Sequence, residues 1–247
     1  MVNLIGNTQR QSVFFIPANR NPPSFPPVDQ ATPEGLLAIG GDLSSERLLA
    51  AYRHGIFPWY SAGQPILWWS PNTRAMLYPE NIKISRSLGR TLRRGEFTVT
   101  CDTCFEDVIR ACAAPREPDH ESGTWITPEM IEAYVGLHQR GYAHSVEAWR
   151  QSTLAGGLYG LALGRGFFGE SMFSRYPDAS KVALVALAHR LTRTGFRFID
   201  CQMPSAHLTS LGAVPVSRAR FIRELAMALE APDQIGPWSN NPGEPHR

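Results

Sequence analysis

The sequence predicts an α+β protein in which a small N-terminal domain precedes a larger domain built on a mixed sheet. Three observations point there. The first seventy residues are rich in proline and glycine. From residue 73 onward, apolar patterns of strand and helix period alternate. Between 143 and 173 three strand patterns follow one another closely, and a helix and a further strand come after them. The chain of 247 residues is 43% hydrophobic and 19% charged, which suits a folded protein with a sizeable core and excludes a disordered scaffold. The chain is expected to divide into residues 1–72, residues 73–235 and a flexible tail at 236–247, with poor order expected from residue 232.

In the first segment Pro17, Pro22, Pro23, Pro26, Pro27 and Pro33, with Gly35, Gly40 and Gly41, favour a chain that wraps a surface over one that builds a sheet. One short helix fits from Ser45 to His54, capped by Asp42 or Ser44 and stopped at Gly55. Arg74–Tyr78 and Phe97–Cys101 read as strands, with a helical stretch Ser85–Arg94 between them. Thr103 and Glu106 have capping-box spacing ahead of a helix whose apolar side is Phe105, Val108, Ile109 and Cys112. Thr127 followed by Pro128 opens the next helix, whose inward stripe holds Ile131, Tyr134 and Val135. Strands follow at about 143–149, 153–163 and 166–173, turning at Gln151-Ser152 and Gly164-Arg165. A helix from about Ala179 to Thr194 ends at Gly195, Phe196–Cys201 is a strand, and helices at 205–210 and 217–230 close the order. A meander followed by helix and strand suits an acyltransferase-like sheet split near its middle.

Basic residues number 24 and acidic ones 22, so bulk charge does not announce a nucleic-acid binder. The charge is nevertheless segregated. Residues 73–100 carry six basic and two acidic side chains, whereas residues 101–149 carry three and nine. The longest notable apolar run, Val182–Ala188, is far short of the ~18 residues of a membrane span, so no membrane partner is expected. The opening MVNLIGNTQRQSVFF lacks the basic-then-apolar pattern of a secretory signal, and four cysteines make no disulfide framework; a cytoplasmic protein is expected.

Several motifs lose their chemistry on inspection. Cys101 and Cys104 have the CxxC spacing, but no second CxxC or HxxxH follows, so both read as small buried apolar residues. His144 and Glu147 fall on opposite faces of a strand and cannot share a metal. Gly169-Glu170-Ser171-Met172-Phe173 resembles a nucleophile elbow without its final glycine. No phosphate-cradling glycine loop occurs, and the loop that binds coenzyme A pyrophosphate is missing ahead of the 179–194 helix. The expectation is therefore no metal and no cofactor.

Three constellations remain. Lys83, Arg86, Arg90, Arg93 and Arg94 form a basic cluster with no acid inside it, most of it on one helical face, which recruits a polyanion by counterion release. Arg190 with Arg193, and Arg220 with Arg223, repeat the spacing more weakly. Trp59 and Trp125 sit in loop-like sequence, where an indole is a stacking platform worth ~1–3 kcal/mol per base. Glu170, Asp200 and Gln202 lie in or beside apolar strands, and the strand period places Asp200 and Gln202 on one face. A carboxylate there is costly unless paired, so it is either a hydrogen-bonded buried acid or a catalytic, cation-reading group.

The segments GGDLSSERLLAAYRHGIFPWY, ILWWSP, SGTWIT, GYAHSVEAW, GGLYGLALGRGFFGESMFSR, ASKVAL and IDCQ, in that order from about residue 28 to 230, resemble the leucyl/phenylalanyl-tRNA–protein transferase family. The resemblance implies a small N-terminal domain on a C-terminal acetyltransferase-like (GNAT-like) domain. It implies transfer of Leu or Phe, and also Met, from Leu-tRNA, Phe-tRNA or Met-tRNA to the N-terminal Arg or Lys of proteins, marking them for N-degron degradation. By the same resemblance Trp59 and Trp125 hold the 3′-terminal adenosine, and the 83–94 cluster meets the acceptor stem. Phe167, Met172 and Ile199 line the aminoacyl pocket, Asp200 and Gln202 are the catalytic pair, and Glu170 is an acidic site residue. On this reading Gln202 orients the attacking amine while Asp200 receives its proton, and a monomer is favoured. Cys101, Cys104 and the first 25 residues match no family motif. A CoA-dependent N-acetyltransferase and a catalytically silent tRNA-binding module are the alternatives.

Overall fold

The computed structural model describes residues 13–18, 22–114 and 125–238. Against expectation, the proline-rich opening does build a sheet. It contains β1 (Phe14–Ile16), β2 (Leu36–Gly40), β3 (Phe57–Pro58) and β4 (Leu67–Trp69), in the order β1-β2-β4-β3. The strands are short and the prolines stay outside them except for Pro58, which sits on an edge strand where a missing N–H is tolerated. Such brief strands leave too little alternation in the sequence to be read. Between β2 and β3 lies α1 (Ser45–Arg53), capped by Ser44, whose hydroxyl accepts the Arg47 amide, and left through Gly55 at φ 73°.

The larger sheet begins with β5 (Thr73–Leu77), and α2 (Arg86–Arg94), β6 (Thr98–Cys101), α3 (Phe105–Ala113) and α4 (Pro128–Gln139) follow. The meander is β7 (Ala143–Arg150), β8 (Thr153–Leu163) and β9 (Gly166–Ser174). The chain closes with α5 (Ala179–Arg193), β10 (Phe198–Asp200), α6 (Ala206–Ser210), β11 (Val214–Ser217) and α7 (Arg218–Leu229). The seven strands lie in the order β11-β5-β10-β9-β8-β7-β6. Thr127 caps α4 by accepting the Met130 amide, with Pro128 at the first helical position. The structure departs from the sequence expectation at two places. The capping box before α3 is not formed: Cys104 takes the cap position without a side-chain bond, and the Thr103 hydroxyl turns back to the Cys101 carbonyl after a left-handed Asp102 at φ 54°. The segment between the last two helices holds a strand, β11, which tolerates Pro215 because it is an edge.

The larger sheet carries a different core on each face. Phe168, Phe198, Tyr159 and Leu161 belong to a cluster shared with Tyr52, Ile56, Phe57 and Trp68 of the N-terminal segment. Phe167, Ile199, Leu158 and Ala162 belong to the cluster under α5. Strand alternation produces this division, since Phe167 and Phe168 must face opposite ways. Parallel pairing of β9 with β10 ends at Phe168 and Asp200, whereas β9 continues against β8 to Ser174. The sheet therefore opens between β9 and β10 just beyond Asp200. The described part of the segment expected to be poorly ordered from residue 232 is instead anchored. Asp233 binds Arg53 and the Gly164 amide, Gly236 donates to the Gly141 carbonyl, and Trp238 is 5% exposed. Residues 239–247 lie outside the described residues. No described helix is long and apolar enough to cross a membrane.

Candidate active site

Where the sheet opens, two carboxylates meet very different surroundings. The β8–β9 register shifts between Tyr159 and Gly160, so that Ser171 pairs with Tyr159, Gly169 pairs with Gly160, and Glu170 is the unpaired extra residue of a bulge. The bulge aims Glu170 at two phenols. Tyr52 from α1 donates to Oε1 at 2.7 Å and Tyr134 from α4 to Oε2 at 3.0 Å, and the two hydroxyls bond each other. Burial lifts the Glu170 pKa to about 7, against the lowering by both tyrosine hydrogen bonds. Asp200 contributes to the rise and Arg74 opposes it. The buried Tyr159 hydroxyl has no hydrogen-bond partner among the described residues.

Asp200 is held differently. Arg74 of β5 grips it through both carboxylate oxygens, with Nε 2.8 Å from Oδ1 and Nη2 2.6 Å from Oδ2, and both side chains are buried. The guanidinium also donates to the Gly55 carbonyl and lies over the rings of Phe57 and Phe221. Oδ1 accepts the Gln202 amide at 3.0 Å as well. Gln202 has φ 53°, so the chain has left the strand and the period-of-two placement of Asp200 and Gln202 does not apply. This turn is closed by the Asp200 carboxylate, and the Gln202 carbonyl accepts the Ala75 amide. The Gln202 side-chain nitrogen is buried with no partner among the described residues, a donor awaiting an acceptor.

The apolar residues gather on the other face. Ile199 is in register with Phe167, Met172 with Leu158, and all three pocket candidates pack in the cluster under α5. Phe167 and Ile199 are fully covered, and Met172 is half-buried. Trp59 is 43% exposed beside Trp69, while Trp125 is half-buried in the segment just before α4. Their segments adjoin, since the Tyr60 and Thr127 hydroxyls lie 3.5 Å apart. Lys83, Arg86, Arg90, Arg93 and Arg94 are all exposed, and Arg94 also meets Glu96 at 3.4 Å. Leu88 pins α2 to Val182 and Val185 of α5, leaving the arginines outward. The weaker arginine pairs are partly engaged elsewhere: Arg190 lies over Trp238, and Arg220 binds Glu224 and Tyr78.

Among the described residues no cysteine forms a disulfide, and no three His, Cys, Asp or Glu side chains are grouped to hold a metal. Burial raises the Cys104 thiol to about 12, which makes it an unreactive packing residue. Ser171 lies within β9 rather than on a strand-to-helix turn. Sequence reasoning missed Arg74, Tyr52 and Tyr134. Arg74 could have been found as the cation in an apolar strand that needs a buried acid, whereas the tyrosines passed as ordinary apolar positions on their helices.

The class of protein follows from comparison with known families. Residues 76–226 match the family described as leucyl/phenylalanyl-tRNA protein transferase, and residues 41–72 match the N-terminal domain of the same family, which makes the chain an aminoacyltransferase. The Leucyl/phenylalanyl-tRNA--protein transferase of Aromatoleum aromaticum is 61% identical over 227 residues, 91% of this chain and 95% of that one. That of Nitrosomonas eutropha is 56% identical over 216 residues, 87% and 92% of the two chains. Among solved structures, L-PGS from Bacillus licheniformis aligns with a TM-score of 0.42 and 9% identity over 79% of this chain and 71% of that one. The chain belongs to the leucyl/phenylalanyl-tRNA–protein transferase family.

Proposed function

We propose that the opening between β9 and β10 is where an aminoacyl ester meets the amine of its acceptor protein. As a member of its family, the protein transfers Leu or Phe from aminoacyl-tRNA to the N-terminal Arg or Lys of proteins. Met is a further donor, and the product is marked for N-degron degradation in the cytoplasm. The observation that carries the site reading is the division of the sheet at this point: apolar Phe167, Ile199 and Met172 on one face, Glu170 and Asp200 on the other. The ester's side chain enters the apolar side, and the cationic acceptor approaches the carboxylates.

An aminoacyl ester is already activated, so the protein has to supply a neutral amine, a proton acceptor and orientation. Asp200, committed twice to Arg74 and once to the Gln202 backbone amide, acts by fixing Gln202. The unpartnered Gln202 side-chain nitrogen is then available to hold the substrate's carbonyl or acceptor backbone. Glu170, with a pKa of about 7, is ionised in a sizeable fraction near neutrality and accepts the amine's proton. Trp59 and Trp125 stack the terminal adenosine, and Lys83 with the α2 arginines meets the acceptor-stem backbone. The division at residue 72 into a small N-terminal domain and a GNAT-like domain of 73–235 fits the two sheets and the split, without the CoA loop.

Transfer of labelled Leu from charged tRNA to an Arg-initiated peptide tests the reading. Gln202→Ala is expected to lower single-turnover transfer about 10²-fold with tRNA binding intact. Unchanged transfer removes Gln202 from the site.

A further inference from the structure

Beyond both stretches that match the family, residues 230–238 cross the meander and end on Trp238, whose indole is stacked on His144 of β7 with centroids 4.1 Å apart and planes 6° apart. The strap is fastened along its length by Asp233, by Gly236 and, at its end, by the Trp238 amide, which donates to Asp102 at 2.6 Å. Asp102 accepts from His144 Nδ1 as well, at 2.9 Å, so one carboxylate fixes both stacked rings. The Arg190 guanidinium lies 4.9 Å from the indole centre.

The indole also stands 5.7 Å from the ring of Phe167. Opposite His144 in the β7–β8 register is Gly160, and a Cβ there would meet Cε1 and Cζ of Phe167 at 2.7 Å. Phe167 therefore occupies the space above Gly160, and Trp238 stands in the same apolar cluster as Phe167, Ile199 and Leu158. Moving across the sheet toward β7, the cover runs from Ile199 to Phe167 and then to Trp238.

We propose that Trp238 is a specificity-determining residue: it backs Phe167 and sets how deep the aminoacyl pocket can become. The proposal rests on reading Phe167 as a wall of that pocket. The indole bars Phe167 from shifting toward β7 and so limits how far the pocket can open for a donor side chain. Removing the indole gives Phe167 room to recede and favours the bulkier donor. The effect falls on the donor side chain, not on the acceptor peptide.

The test compares kcat/KM for Leu-tRNA and Phe-tRNA with an Arg-initiated peptide in the full chain carrying Trp238→Leu, Trp238→Phe or Phe167→Ala, with thermal unfolding followed in each. Trp238→Leu is expected to raise the Phe-to-Leu ratio about tenfold, with the peptide KM unchanged. Trp238→Phe keeps an aromatic stop and is expected to hold the parental ratio within about twofold. If Trp238→Leu lowers both donors alike, or leaves the ratio as it was while Phe167→Ala changes it, the indole is only structural and the proposal is overturned. If Phe167→Ala also leaves the ratio unchanged, the pocket reading falls and takes this one with it. Should Trp238→Leu not fold, the ratio shown by Trp238→Phe against a Trp238→Met variant decides between the same outcomes.

Discussion

At the scale of single residues the two site carboxylates divide the work by environment. Asp200 spends its acceptor capacity on the buried Arg74 and on the backbone amide of the half-buried Gln202. Removing one partner strands a buried charge, so Arg74→Met is expected to cost about 3–5 kcal/mol in urea unfolding. Combining it with Asp200→Leu is expected to restore much of that stability without restoring transfer, because Gln202 then loses its turn. Glu170 has the opposite character. Its folded carboxyl stays protonated up to about pH 7, whereas the unfolded one ionises near 4.5, so this group costs stability increasingly as pH rises through that window. Glu170→Gln should therefore gain on the parent protein between pH 4.5 and 7 in denaturation series. In the transfer assay the same variant is expected to lose the activity limb near pH 7, leaving only the limb of the acceptor amine at ~7.7–8.0.

At the scale of elements, α2 is a short helix with Leu88 and Leu92 inward and its arginines outward. Arg86→Gln and Arg90→Gln should each reduce the slope of log affinity for tRNA against log salt by about one, with no change in unfolding, as measured by filter binding over a salt series. This helix was legible in the sequence because its cap Ser85, its stop Gly95 and its charge pattern are all local. The same holds for α4, α5 and the three strands of the meander, whose signals repeat over eight residues or more. The N-terminal sheet was not legible: strands of two to five residues, paired across distant prolines, leave no period to detect. In the site, Asp200 and Glu170 stood out as acids in apolar strands. Their partners did not, since only the fold brings Arg74 126 positions along the chain to Asp200, and a bulge, invisible in sequence, turns Glu170 toward Tyr52 and Tyr134.

At the scale of the whole molecule the two sheets are tied by one apolar cluster and by polar links across it. Tyr52, Phe57 and Trp68 pack with Tyr134, Phe198 and Phe221, while Tyr52 reaches Glu170 and Arg74 reaches Gly55. The two parts are thus expected to unfold in a single transition, with tryptophan fluorescence and far-ultraviolet circular dichroism giving one midpoint. Two separated midpoints would show that the shared cluster contributes little.

The opening in the sheet has a consequence for how such a protein can change over time. At the proposed site, the carried side chain is chosen on one side of a single layer of backbone and the receiving terminus on the other, with only the reacting carbonyl common to both. Substitutions under α5 and substitutions around Tyr52 and Tyr134 therefore have few shared neighbours, and their effects combine nearly independently. A lineage could alter which amino acid it donates while keeping its set of recipients, or do the reverse, without passing through an inactive intermediate.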